Sequence, residues 1–204
     1  PGLSPEIAAL FPSKLVESEL GEIPEGWEDR RLDSFIELNY GKALKSTERV
    51  FGTVPVYGSG GITGFHSTPL VIQPSIIVGR KGTVGTLYWE ERPFFPIDTV
   101  FYVSSSQAMS YCFCLLQTLG LETMNTDAAV PGLNRNNVYR LRVPFSSQEI
   151  RDEFSNILSS WRSTISHNLR CTEDLVSLRD TLLPKLLSGE LNIPEAMLQV
   201  DAVG

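Results

Sequence analysis

The rhythm of apolar positions changes twice along this chain. In the stretch PGLSPEIAALFPSKLVESELGEIPEGW the apolar residues are isolated anchors among prolines and glycines. That pattern predicts an extended connector over residues 1–27, with a short helix around Pro5–Leu10 and Trp27 anchoring the connector to the next domain. Over residues 28–145 short β-rich runs alternate with turn signals. VPVYG, SIIVGR, TLYWEE and TVFYVSS are the expected strands. AMSYCFCLLQTLG is apolar enough for a buried helix ended by Gly120, and VYRLRVPF, alternating apolar and basic, reads as a last strand. The mixture implies an α+β domain with a mixed sheet.

At Ser146 the rhythm becomes helical and stays so to about Leu187, with no glycine inside. Ile150, Phe154, Ile157, Trp161, Thr164, Asn168, Cys171, Leu175, Leu178 and Leu182 alternate steps of four and three, a heptad seam. SSQE matches a capping box, Ser146 accepting from the third helical amide while Glu149 reaches back. Gly189 supplies the stop, and Pro184 is expected to kink or end regular helix one turn earlier. The expected long helix thus occupies residues 146–189, with a tail at 190–204. At 1.5 Å per residue, about 40 residues make a helix of roughly 60 Å, too long for the domain to cover. Its seam therefore needs a partner helix, and a coiled coil is the expectation. Thr164, Asn168 and Cys171 make the seam polar at its centre. A buried Asn fixes register at a cost in stability; the alternative is a local change of face.

The composition, 42 % hydrophobic over 204 residues, allows a real core. No apolar run approaches the roughly 18 residues of a spanning helix, and no signal peptide is recognisable. The three cysteines are an odd count, with Cys112 and Cys114 too close to pair, so a reducing cytoplasm is expected. Starting at Pro1 rather than Met, the chain reads as a piece of a longer one. The net charge of −7 is unevenly spread. Residues 1–27 carry −4 and residues 146–204 another −4, whereas residues 28–145 carry +1. An acidic total weakens a nucleic-acid reading, but the near-neutral middle keeps it open.

Eight of the sixteen glycines lie between Gly52 and Gly85. So dense a cluster marks either a phosphate cradle or a set of tight turns. GSGGITG fails the dinucleotide fingerprint, and GRKGTVG lacks the Gly-Lys-Ser/Thr ending of a phosphate loop. There is no G-x-S-x-G elbow. His66 and His167 lie about a hundred residues apart, Cys112 and Cys114 have no companions at metal-ligand spacing, and Asp98 is a lone acid. No catalytic or metal site is expected. What remains is recognition. Asn39, Tyr40, Lys42 and Lys45 precede the glycine segment; Tyr57, Ser59, Thr63 and His66 lie within it; Arg80, Lys81 and Thr83 end it. Asn125, Thr126, Asn134, Arg135, Asn136 and Asn137 come later in the chain. Arg can read guanine, Asn adenine, and Lys can hold phosphate. The alternative is that these are ordinary turn residues on a solvated face.

Taken in order, SELGEIPEGWEDRRL, PVYGSGGITGF, IIVGRKGTVG, FFPIDTVFYV, VPGLNRNNVYRLRVP and SLRDTLLPKLLSGEL resemble one repeat of the DNA specificity subunit of type I restriction–modification enzymes. The resemblance runs from about Leu20 to Leu191. It implies a target-recognition domain reading one half of a bipartite site in double-stranded DNA, followed by a spacer helix. It implies pairing of that helix with a second repeat, or with a second copy of the chain. The implied partners are methyltransferase subunits and, through them, the restriction subunit. The subunit itself would be non-catalytic and hold no cofactor; S-adenosylmethionine, ATP and Mg belong to the partners. The glycine motifs would then be turns and strand ends. The candidate DNA-binding residues are Lys42, Lys45, Tyr57, Ser59, Thr63, His66, Arg80, Lys81, Thr83, Asn134, Arg135 and Asn136. The candidate helix-pairing residues are Ile150, Phe154, Ile157, Trp161, Asn168, Leu175, Leu178 and Leu182. Two features depart from the family: VPFSSQEI replaces its frequent Pro-Pro and Glu-Gln entry to the helix, and there is one repeat rather than two. The chain resembles a C-terminal half more than a naturally short, dimerising half-subunit. The competing class is a coiled-coil scaffold whose head binds protein or glycan.

Overall fold

The computed structural model describes residues 3–124 and 132–191. The chain divides into two compact units, Pro1–Asn156 and Ile157–Gly204.

In the first unit, four antiparallel strands form the central sheet. They are β4 (Ile36–Tyr40), β10 (Val100–Ser105), β7 (Ser75–Gly79) and β8 (Leu87–Glu90), in that order. β7 is buried along its whole length, because both faces of the sheet are covered. Successive side chains of a strand point to opposite faces, and the two cores obey that alternation. Ile76, Val78, Phe101 and Val103 join Leu38, Cys112, Leu116 and Val138 in the larger core. Here α2 (Met109–Gln117) and α3 (Arg135–Tyr139) contribute their buried residues. Ile77 and Val100 point the other way, into a smaller core with Tyr57, Val71 and Phe94. Burial pushes the Cys112 thiol up to about 11, so this cysteine is inert packing.

The smaller core is roofed by β6 (Gly61–His66), β5 (Val54–Gly58) and β9 (Phe95–Pro96), with β5 antiparallel to β6 and parallel to β9. The expected strands over VPVYG, SIIVGR, TLYWEE and TVFYVSS correspond to β5, β7, β8 and β10. The connector is more ordered than its composition implies. After α1 (Pro5–Ala8) come the hairpin of β1 (Leu15–Ser18) and β2 (Gly21–Pro24), then β3 (Glu28–Arg31). β3 pairs with β11 (Arg142–Phe145), joining chain segments more than a hundred residues apart. VYRLRVPF is therefore not one strand. Asn134 caps α3 by accepting from the Asn136 and Asn137 amides, which draws Val138 and Tyr139 into helix before β11 begins.

The long helix α4 (Gln148–Ser188) starts two residues after β11 ends. Ser147 rather than Ser146 caps it, accepting from the Ile150 amide at 3.4 Å. Ser146 is buried, and its carbonyl instead accepts from the Arg151 guanidinium. Arg151 lies over the Phe145 ring at 3.8 Å and donates to Gln107 and Gln148 at 2.9 and 2.6 Å. Ile150 is buried, and Phe154 meets the Tyr111 ring edge-on at 6.3 Å.

In the second unit, α4 continues through Pro184 to Ser188, so the proline does not end it as expected. Gly189, at φ +73°, turns the chain, and the Leu191 amide donates back to the Lys185 carbonyl at 3.1 Å. The apolar residues of this stretch are largely bare: Trp161 is 62 % and Leu187 79 % exposed. At ~100° per residue, Ile157, Trp161, Ile165, Leu169, Leu175, Val176, Leu182 and Leu183 fall within an arc of about 140°, wider than a two-helix seam. Ile165 and Leu169 flank the polar seam positions. Thr164 turns its hydroxyl back to the Ser160 carbonyl at 3.1 Å. No helix among the described residues is long and apolar enough to cross a membrane.

Candidate nucleic-acid interface

The loop joining β7 to β8 is closed at its neck. Gly79 donates to the Thr86 carbonyl, and Gly85 to the Gly79 carbonyl, both at 2.8 Å. Gly85 has φ +74°, and the Leu121–Glu122 backbone occupies the space a side chain would need. GRKGTVG is therefore a tight turn packed on its neighbours. Both the Arg80 and Lys81 amides donate to the Thr99 carbonyl, at 2.9 and 3.1 Å. The Arg80 carbonyl accepts from Leu133 at 2.8 Å, and Lys81 bridges to Gly132. These bonds bring the loop alongside Asn134, Arg135 and Asn136, more than fifty residues further on.

Tyr40, at the end of β4, completes the arrangement. Its ring packs edge-on against Phe101 at 5.0 Å, and two guanidinium carbons lie over it, Arg80 at 5.1 Å and Arg135 at 4.9 Å. Arg135 also lies over Tyr139 and donates to the Leu38 carbonyl at 3.4 Å. The Nε atoms of Arg80 and Arg135 are buried and have no hydrogen-bond partner among the described residues. These groups line an open cavity of about 320 Å³, and none of the described residues places a carboxylate in its lining. Of the twelve candidate DNA-binding residues, Arg80, Lys81, Asn134, Arg135 and Asn136 thus share one site. Tyr40, in the sequence only a neighbour of the glycine segment, becomes its platform. The sequence names Tyr40 among the residues offered for recognition but gives no sign that Arg80 and Arg135 would lie over its ring.

The other candidates lie elsewhere. Lys42 is exposed two residues beyond Tyr40, its amide donating to the Pro96 carbonyl at 3.0 Å. Lys45 is exposed and 3.9 Å from Glu48. Ser59 and Thr83 are tied together, because the Thr86 hydroxyl hydrogen-bonds both carbonyls, at 2.7 and 3.1 Å. Tyr57 departs from expectation: it is 6 % exposed and donates its hydroxyl to Glu90 at 2.9 Å. Burial, then the adjacent Glu90 charge, raises its phenol well above the ordinary value. Burial also works to raise the Glu90 carboxyl, but hydrogen bonds from Arg92 and Tyr57 outweigh it and hold the group low. Thr63 accepts from Arg49 through its carbonyl, at 2.7 Å, and His66 accepts the Val50 amide on Nδ1 at 3.0 Å. Tyr57 therefore serves the core through a buried hydrogen bond, whereas Thr63, exposed, and His66, half-exposed, pin neighbouring loops. Asn125 and Thr126 lie outside the described residues.

Among the helix-pairing candidates, Ile150 is spent on the first unit, whereas Trp161, Asn168 and Leu175 are exposed and Ile157, Leu178 and Leu182 half-buried. The described residues hold no group of three His, Cys, Asp or Glu able to bind a metal ion.

Three solved structures share this fold. A type I restriction-modification S subunit from M. genitalium superposes with a TM-score of 0.70 at 18 % identity, over 80 % of this chain and 46 % of that one. The HsdS subunit from Thermoanaerobacter tengcongensis gives 0.56 at 16 % identity, over 91 % and 49 %. A chain from a study of complex assembly and conformational transition in the type I R-M system gives 0.57 at 15 % identity, over 88 % and 49 %. The chain therefore spans about half the length of these structures. A search of curated proteins gives no match. The family model for the type I restriction modification DNA specificity domain matches residues 24–170. That match takes in every strand from β3 onward and the first half of the long helix, so this chain belongs to the type I restriction modification DNA specificity domain family.

Proposed function

We propose that the chain is one recognition half of a type I specificity subunit. Its first unit reads one half of a bipartite site in double-stranded DNA. Its long helix pairs with a second repeat, or with a second copy, and helps position methyltransferase subunits. The restriction subunit is engaged through these. The chain itself is non-catalytic: methyl transfer from S-adenosylmethionine and ATP- and Mg-dependent cleavage are the partners' chemistry, in the cytoplasm. The observation that carries this reading is the convergence of Arg80, Lys81 and Arg135 on one cavity without a carboxylate among its described lining residues, in a chain whose net charge is −7. A surface gathers cations against an acidic background when its ligand is anionic. Lys42, Ser59 and Thr83 are exposed or half-exposed on neighbouring loops and extend the surface available to bases.

The test is selection from a random duplex library by the chain reconstituted with a methyltransferase subunit and S-adenosylmethionine. We expect enrichment of a defined site. An inverted repeat would indicate two copies of this domain, and a single short half-site a two-repeat subunit represented by one half. Absence of any enrichment would refute DNA reading.

A further inference from the structure

We infer that the Tyr40–Arg80–Arg135 cavity grips a single backbone phosphate of the duplex rather than a base edge, an assignment that rests on the DNA-reading function proposed above. The chemistry of the lining decides between the two. The charged groups of the lining are all donors: two guanidiniums and the Lys81 ammonium. Of the two amide side chains in the lining, Asn134 and Asn136, the acceptor of the first is already used. Asn134 Oδ1 takes the Asn136 and Asn137 amides at 2.9 and 3.4 Å, so that side chain cannot offer the paired donor and acceptor that adenine requires. A guanine edge presents acceptors but no charge, and would leave three gathered cations without a counter-charge. A phosphodiester supplies acceptor oxygens and a negative charge together, and guanidinium binds it through paired, charge-assisted hydrogen bonds.

The site is also built as a fixed point. Arg80 is held through its own backbone on both sides, to Thr99 and Leu133. Both guanidiniums are stacked on a ring that is itself wedged against Phe101. A contact held this stiffly suits the role of setting register on the duplex, which phosphate contacts perform, leaving sequence to neighbouring side chains.

The experiment uses the full chain reconstituted with a methyltransferase subunit, on its selected duplex and on scrambled duplexes, across a salt series. Lys81→Gln removes an exposed charge with no packing role, and Arg135→Gln removes a guanidinium. Each variant is expected to weaken binding to both duplexes by the same factor, about tenfold, and to reduce the slope of log affinity against log salt by about one. The order of base preferences should stay as in the wild type. A single neutral methylphosphonate linkage, scanned along the duplex, should at one position weaken the wild-type protein equally and weaken Arg135→Gln no further. A changed base preference with an unchanged salt slope would overturn the inference in favour of base reading. Unchanged affinity and slope in both variants, with the wild type still selective, would overturn it while leaving DNA reading intact. A wild-type complex that shows no selectivity would overturn both.

Discussion

Residues up to Asn156 and residues from Ile157 onward use the same apolar side chains in opposite ways. In the first unit Phe94, Phe101, Ile76 and Leu116 are withdrawn from water by other parts of the same chain. In the second, Trp161, Leu169, Leu175 and Leu187 are left bare along a single helix. The contrast separates two kinds of stability. The first is intrinsic to the chain and independent of its concentration. The second is available only through association, which obeys mass action. The first unit closes its own core, and the helix of the second leaves its apolar side chains exposed.

The sharpest way to break this comparison is in the smaller core. Phe94→Ala should cost about 3–5 kcal/mol, and the loss in melting temperature should be equal in dilute and concentrated samples. A concentration-dependent loss would mean that the first unit also leans on a partner. Next, Trp161→Ala should leave the melting of the first unit unchanged but weaken helix association by about 2 kcal/mol, or roughly thirtyfold. Sedimentation equilibrium over a concentration series reads this directly, and a wild-type chain that stayed monomeric even with its partner subunits would sink the contrast.

A smaller effect comes from the Tyr57–Glu90 pair. Tyr57→Phe removes a hydrogen bond to a buried carboxylate and should cost about 1.5 kcal/mol. Because the folded protein holds Glu90 below its ordinary value of 4.5, its stabilisation is present above that pH and is lost as pH falls through the lowered value. Unfolding measured between neutral and acid pH should show this loss, and Glu90→Gln should flatten it; an unflattened curve would place the acid sensitivity elsewhere. The smallest effect lies at the start of the long helix. Ser147→Ala should destabilise the first turn of α4 by about 1 kcal/mol or less, and by more than Ser146→Ala, since Ser147 is the residue that caps. Thermal melts of both variants decide the order.

The strands legible in the sequence were those with continuous apolar runs. SIIVG is buried on both faces and VFYVSS at three of its six positions, so each carries its own signal. β1, β2, β3, β4 and β6 carry no continuous apolar run and are strands because a partner pairs with them. EDRR of β3 has no strand character at all without β11. VYRLRVPF misleads for a related reason, since its alternation fits a strand but the Asn134 cap commits Arg135–Tyr139 to helix first. The site was half legible. Arg80, Lys81 and Asn134–Asn136 stand out as cations and amides in turns. That they share one cavity depends on the Lys81–Gly132 bridge, which local sequence does not announce. Tyr57 looked equally available, and only packing removes it from the surface.

By itself, then, the sequence determined what short-range physics can decide. The β-rich runs, the glycine turns, a long helix after residue 145 and its surplus of apolar positions all stem from propensity and period. Its ordered motifs also identified the family. Tertiary structure alone decided which serine caps α4, which face of each central strand enters which core, and which basic residues converge on Tyr40. These depend on contacts between residues far apart in the chain, whose closure is set by the packing of the whole unit rather than by any local window.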